Sequence, residues 1–145
     1  MSEKIKSLKE VMDVLSTIPN INMGGCGISA LSMYVWLQEY KHATPQILFC
    51  YKPYSKNTYD NNKKLLKTPS ILSVPNHIVL IYNYHKIDSD GVLKDFKETY
   101  KYWHKVSLKK LVDTIMYSNN WNPAFKRHKN IKKIEKCFEI KLPLK

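Results

Sequence analysis

The segment CGISALSMYVWLQEYKH, residues 26–42, decides the fold because its apolar side chains cover nearly the whole circumference of a helix. A helix of this kind must be buried on most sides. Three of the chain's four glycines, Gly24, Gly25 and Gly27, surround Cys26 at the beginning of the segment. The pattern predicts a core helix that begins at Cys26 and is entered through a glycine-rich turn.

The elements predicted on either side of this helix indicate an α+β fold. Before it, residues 7–18 show helical spacing behind Ser7, with Glu10 three positions later as in a capping box. The turn signal at residues 88–91 predicts a hairpin. The remaining predicted elements are strands at 46–51, 76–84, 92–96 and 138–142, a surface connection at 52–70 with a short helix at 61–66, and helices at 107–115 and 130–137. Helices come first and most strands later, which favours a small antiparallel sheet.

Length and composition predict one globular domain spanning residues 1–145. The hydrophobic fraction is 43%, and no apolar run reaches the eighteen residues that a membrane-spanning helix needs. The first ten residues mix charges and lack the apolar core of a secretion signal. We therefore expect a cytoplasmic protein without a membrane partner; the sequence does not determine its oligomeric state.

The charge balance indicates non-specific attraction to anions. The chain has 24 basic and 12 acidic residues, a formal net charge of +12, which suffices for contact with nucleic acid. Arg127 is the only arginine, whereas proteins that read bases usually use the bidentate guanidinium group. This Lys-rich profile is typical of AT-rich coding sequences and suits a phage or mobile-element product. If a phage encodes the protein, the expected location is the cytoplasm of the bacterial host.

The cysteines and histidines predict neither a disulfide framework nor a metal site. Cys26, Cys50 and Cys137 are odd in number and widely spaced, and the histidines lack the spacing of metal ligands. We expect free thiols and no cofactor.

Cys26 and His77 form the candidate catalytic pair. A thiol in the first turn of a helix lies beside unpaired N–H groups and the positive end of the helix dipole, which favours its thiolate form. Small residues at Gly24, Gly25 and Gly27 would let a substrate backbone approach the sulfur. His77 opens the predicted buried strand at 76–84, where an imidazole could take the thiol proton and return it to a leaving group.

A third group usually orients such a histidine. Asp95, on the predicted return strand 92–96, is the first choice. Asp88 and Asp90 lie in the predicted turn, where capping roles are more common, and remain alternatives.

These residues resemble the papain-like cysteine peptidases, most closely the compact bacterial peptidases that cleave bacteriocin leaders after a double glycine. The matching motifs are Cys26-Gly-Ile-Ser-Ala-Leu31 for the nucleophile, His77-Ile-Val-Leu80 for the base and Asp95 for the orienting acid. The family places a Gln about six residues before the nucleophile as oxyanion donor, and this chain has Asn20 there. The chain also departs from the family in having Phe96 after Asp95, where Pro is usual.

The resemblance implies a papain-like fold, with N-terminal helices and a buried nucleophile helix packed on the sheet. It implies a cysteine peptidase, or a related amide hydrolase or acyl transferase, acting on a peptide or protein substrate. The alternative from composition is a non-catalytic basic protein that binds nucleic acid or an acidic host protein.

Overall fold

The computed structural model describes residues 5–21, 25–117 and 127–144. These ranges contain six α-helices and five strands, together with a short 3-10 helix at Pro53–Ser55. The helices are α1 (Leu8–Ser16), α2 (Cys26–Lys41), α3 (Lys56–Lys64), α4 (Phe96–Thr99), α5 (Leu108–Tyr117) and α6 (Arg127–Phe138). The strands are β1 (Gln46–Tyr51), β2 (His77–Tyr82), β3 (His85–Asp88), β4 (Gly91–Val92) and β5 (Tyr102–Val106).

The five strands form one antiparallel sheet in the order β4-β3-β2-β1-β5. β1 and β2 lie next to each other at its centre, with Phe49 opposite Ile78 and Cys50 opposite His77. The predicted α+β class with a small antiparallel sheet is therefore confirmed.

Alternating side chains divide the sheet into two faces. On one face, Phe49, Ile78 and Leu80 join the main core together with buried residues of α1 and α2. On the other, Leu48, Cys50 and Val79 form a smaller cluster with Phe96. Because cross-strand partners project to the same side, His77 belongs to this second face with Cys50.

The first two helices begin where the sequence predicts. The Ser7 hydroxyl accepts a hydrogen bond from the Glu10 N–H at 3.2 Å, which caps α1. α2 is buried on nearly all sides. The helix ends at Lys41, and the next residue, His42, caps it with a left-handed backbone (φ 52°).

A buried polar network holds the long connection between β1 and β2 to the sheet. The Tyr51 hydroxyl is 2.7 Å from His104 Nε2 and accepts a 2.7 Å hydrogen bond from Asn62 Nδ2. Asn62 also exchanges hydrogen bonds with the backbone of Ser73. Burial lowers the pKa of His104 to about 4, so this ring is neutral and Nε2 can accept the tyrosine proton.

A buried lysine fixes the second half of the same connection. The Lys110 ammonium group donates hydrogen bonds of 2.6–2.7 Å to the carbonyl groups of Leu65, Thr68 and Ser70. α5 therefore anchors a segment that has little secondary structure of its own.

The hairpin after β2 differs from the prediction, and the difference determines the site. The chain turns early, at Asn83 and Tyr84, whose φ angles of 50° and 66° are those of a tight hairpin turn. This turn creates the unpredicted strand β3. A second turn at residues 89–90 leads into the short β4, and the predicted strand 92–96 is wrong because Phe96 begins α4.

Two smaller predictions are also corrected. The helix in the surface connection is α3 at Lys56–Lys64 rather than 61–66. The edge strand at 138–142 is wrong, because α6 continues to Phe138 and the described residues after it form no strand. Within the described residues, no helix has the length and apolar character needed to cross a membrane.

Candidate active site

Cys26 is the first residue of α2, as predicted. Gly25 precedes it as the N-cap, and the Gly25 carbonyl accepts the first helical hydrogen bond from the Ser29 N–H at 2.9 Å. The Cys26 side chain is half-buried at the end of the helix where the dipole is positive. This position stabilises negative charge on sulfur.

His77 is the first residue of β2, and the Cys26 side chain is close enough to raise the pKa of its ring. Only 6% of the residue is exposed. α2 and β2 meet at this point, because Gly27 of the helix packs against Ile78 of the strand. The predicted pairing of Cys26 with His77 is therefore present in the structure.

Asp88 is the acidic partner of His77. His77 Nε2 lies 2.7 Å from Asp88 Oδ2, and both side chains are more than 90% buried. The second carboxylate oxygen, Oδ1, accepts a 2.8 Å hydrogen bond from the Asp90 N–H. Since Nε2 faces Asp88, the other ring nitrogen, Nδ1, is the one available to the Cys26 sulfur.

The sheet register explains why Asp88 reaches His77. Leu80 pairs with Ile87, so continuing the register by one residue places Asp88 opposite Val79. Val79 lies two positions from His77 on the same face, and diagonal neighbours of this kind can touch across an antiparallel pair. The tight turn at Asn83–Tyr84 thus sets the histidine–carboxylate contact.

The surroundings of His77 favour its protonated form. Burial alone lowers the pKa of His77, but the hydrogen bonds with Asp88 and Cys26 and the charges of these partners raise it to about 9. The ring therefore carries a proton at neutral pH, between a carboxylate and a sulfur. A protonated ring beside a sulfur is one half of the ion pair that cysteine nucleophiles use.

Tyr100 covers one face of the His77 ring, a contact that the sequence did not predict. The two rings are nearly parallel, with an interplanar angle of 14° and centroids 6.0 Å apart. Burial and then the nearby charges of Cys50, Asp88 and Cys26 raise the pKa of Tyr100 to about 12. Its phenol therefore stays neutral at physiological pH. Because the Tyr100 ring is stacked on the imidazole, we expect it to limit rotation of the His77 side chain.

Asp95, the first choice from the sequence, does not contact His77. It is exposed at the N-cap of α4, and its backbone carbonyl accepts a hydrogen bond from Thr99. The prediction failed because it placed the return strand one hairpin too late. Asp90 donates its backbone N–H to Asp88 Oδ1.

Gly27 has a packing role in the structure. A Cβ atom on Gly27 would lie 2.9 Å from Ile115 Cγ1 and 3.4 Å from Ile78 Cδ1, so Gly27 allows α2 to approach α5 and β2. The predicted substrate contact of Gly27 stays a prediction. Gly25 is buried at the N-cap, which leaves its predicted substrate contact unsupported, and Gly24 lies outside the described residues.

Asn20 lies in the loop between α1 and α2 and is half-buried. Its φ of 62° is left-handed, a conformation that Asn adopts more readily than most residues. Residues 22–24, between Asn20 and α2, are outside the described part of the chain. The oxyanion role of Asn20 stays a prediction.

All three cysteines are free, as expected. Cys50 is completely buried, and burial followed by the charge of Cys26 raises its thiol pKa, whereas Cys137 is exposed. Within the described residues, no group of three histidine, cysteine or acidic side chains could hold a metal ion.

Comparisons with protein-family models, curated proteins and solved structures found no match to this chain.

Proposed function

We propose that the protein is a papain-like cysteine peptidase, or a related thiol-dependent amide hydrolase, with Cys26, His77 and Asp88 as its triad. The buried 2.7 Å contact between His77 Nε2 and Asp88 Oδ2 carries this proposal, because the Cys26 side chain also acts on the pKa of the same ring. A nucleophile, a base and an orienting acid in this order form the minimal set for acyl transfer. The position of the cysteine at the start of a core helix packed on an antiparallel sheet supports the papain-like assignment.

The first half of the reaction acylates Cys26. The thiolate attacks the carbonyl carbon of the scissile amide, and the imidazolium of His77 donates its proton to the amine nitrogen as the C–N bond breaks. Asp88 holds the ring so that the same nitrogen faces sulfur and then the leaving group. The amine departs and a thioester on Cys26 remains.

The second half regenerates the enzyme. Water attacks the thioester while His77 removes one of its protons, and the C–S bond breaks to release a carboxylic acid and the thiolate. An amine in place of water would make the protein a transferase. The oxyanion of both steps would accept hydrogen bonds from the Cys26 N–H and the Asn20 amide.

Selective alkylation of the three thiols tests this proposal. The protein is treated with iodoacetamide near neutral pH, and the modification of each cysteine is followed by peptide mass spectrometry. We expect Cys26 to react faster than Cys137, which is exposed but is not paired with a histidine in the described structure, and Cys50 to react slowest because it is buried.

The variant His77→Ala and its matched control, His85→Ala, complete the test. His85 is exposed on the same hairpin. We expect His77→Ala to lower the alkylation rate of Cys26 to that of Cys137 or below. We expect His85→Ala to leave the alkylation rate of Cys26 unchanged. A Cys26 rate no higher than that of Cys137, or one unaffected by His77→Ala, would favour a non-catalytic basic protein instead.

A further inference from the structure

A groove of about 250 Å³ opens at the edge of the sheet, between residues of β3, β4 and α4. It combines apolar and positively charged side chains. Its lining includes Leu93 and Phe96, together with the lysines at positions 86, 94 and 97. Leu93 and Phe96 also belong to the cluster on the sheet face that carries His77, so the groove and the site share one face.

The charge in this groove is unbalanced. Three lysines line the groove, and Glu98 is the only acidic residue among its described lining residues. Within the described residues none of the three ammonium groups forms a salt bridge, and that of Lys86 lies 4.9 Å above the Phe96 ring. A ligand that carries carboxylates would compensate these charges.

The backbone beside the groove suits an extended peptide. Among the described strands, β4 lies at the edge of the sheet and pairs with β3 alone, so its outer side can accept another strand. Val92 on β4 is 51% exposed, which offers an apolar contact of the kind that strand addition uses. A sheet edge with exposed apolar side chains favours a polypeptide over a nucleic acid.

We propose that this groove binds an extended acidic segment of the substrate, added as a strand beside β4. The inference rests on the proposed peptidase function. Phe96 in the groove packs on Tyr100 with centroids 5.4 Å apart, and Tyr100 stacks on His77 at 6.0 Å. The groove wall is therefore at most about 11 Å from the His77 ring, which an extended chain spans in about three or four residues. Acidic side chains at that distance from the scissile bond would lie among the lysines.

Peptide binding to the Cys26→Ala protein tests the groove without cleavage. One fluorescent peptide alternates Glu with Val, its partner alternates Gln with Val, and fluorescence anisotropy gives the two affinities. We expect the Glu peptide to bind at least about ten-fold more tightly. Equal affinities would overturn the proposal.

The charge-reversal pair Lys94→Glu/Lys97→Glu locates the effect. Both lysines are exposed in the groove, and Lys132→Glu/Lys133→Glu on the exposed surface of α6 is a control with the same change in net charge. We expect the groove variant to lose about ten-fold in affinity for the Glu peptide, as estimated for two exposed ion pairs, and the control to lose much less. Equal losses would show that net charge alone attracts the peptide and would overturn the proposal.

Two further measurements separate this inference from the proposed function. Cys26 alkylation in Lys94→Glu/Lys97→Glu with Cys26 intact should match the unmodified protein, which also verifies folding. Normal alkylation with no peptide preference would refute the groove and leave the peptidase proposal standing. A thymidine oligonucleotide that binds more tightly than the Glu peptide and loses affinity in the groove variant would identify a nucleic-acid site and contradict the inference.

Discussion

Asp88→Asn removes the negative charge beside His77 and keeps a side chain of the same shape. The Asn oxygen can still accept the His77 Nε2–H hydrogen bond, but the amide NH2 then replaces Oδ1, which accepts the Asp90 N–H hydrogen bond. The variant therefore removes the charge together with that one hydrogen bond. Raising the pKa of His77 from 6.5 to about 9 corresponds to roughly 3 kcal/mol of preference for the protonated ring. Asp88 and Cys26 both contribute to this preference, through hydrogen bonding and through charge.

The expected result is a fall in the pKa of His77 from about 9 toward its ordinary value. Burial, which lowers the pKa of His77, is then opposed by Cys26 and by the remaining hydrogen bond at residue 88, without the charge of Asp88. An NMR titration of ring-labelled histidines measures this pKa, with the His77 signal assigned by its loss in His77→Ala. Alkylation of Cys26 at neutral pH should slow in parallel, because less of the pair is in the thiolate–imidazolium form.

Asp95→Asn is the matched control for the same titration. It removes the same charge from an exposed site at the start of α4, and we expect no change in the His77 pKa. A pKa that stays near 9 in Asp88→Asn, or that falls in Asp95→Asn, would refute the assignment of Asp88.

Three further predictions concern packing and pH. Gly27→Ala should lower the free energy of unfolding by about 1–3 kcal/mol in urea, because its Cβ would lie 2.9 Å from Ile115; an unchanged urea midpoint would contradict this packing. Tyr100→Ala should slow Cys26 alkylation while Tyr100→Phe keeps it, because the stacked ring rather than the hydroxyl restrains His77; equal rates in both variants would contradict the stacking role. Stability in urea should be greatest near pH 6.5. Stability should fall toward pH 4, because His104 binds a proton more readily in the unfolded chain than in the folded protein, where its pKa is about 4. It should also fall toward pH 9, because folded His77, with a pKa of about 9, then loses the proton that its partners stabilise. A flat profile would contradict both assignments.

The sequence predicted the parts of the fold that have strong local signals. α2 is apolar on all sides, and β1 is a short β-rich run between Pro45 and Pro53, so their boundaries were predicted within a residue. The start of α1 followed from the Ser7 cap. Each of these signals lies within the element that it predicts.

The acidic partner of His77 could not be predicted in the same way, because its position depends on a turn with weak local signals. Tyr84 adopts a left-handed backbone that is uncommon for a bulky residue, whereas the Asp90-Gly91 pair is a familiar turn signal. The stronger signal marks only the second of two consecutive turns. Placing the reversal there put Asp95 opposite β2 and left Asp88 in a loop.

Gly27 and Tyr100 were missed for a different reason. The role of Gly27 depends on Ile115, far along the chain, and that of Tyr100 depends on a ring at the start of β2. Such long-range contacts follow from the assembled sheet and helices rather than from local patterns.

Turnover of an activated ester tests most directly the claim that His77 and Asp88 make Cys26 a nucleophile. p-Nitrophenyl acetate transfers its acetyl group to a reactive thiolate, and release of p-nitrophenol reports the reaction. We predict a rapid burst equal to one acetyl group per protein, located on Cys26 by mass spectrometry, followed by slower turnover, with both phases lost in Cys26→Ser. Release that is no faster than in Cys26→Ser, or a stable acetyl group on Cys26 that His77 never helps water to remove, would contradict the account.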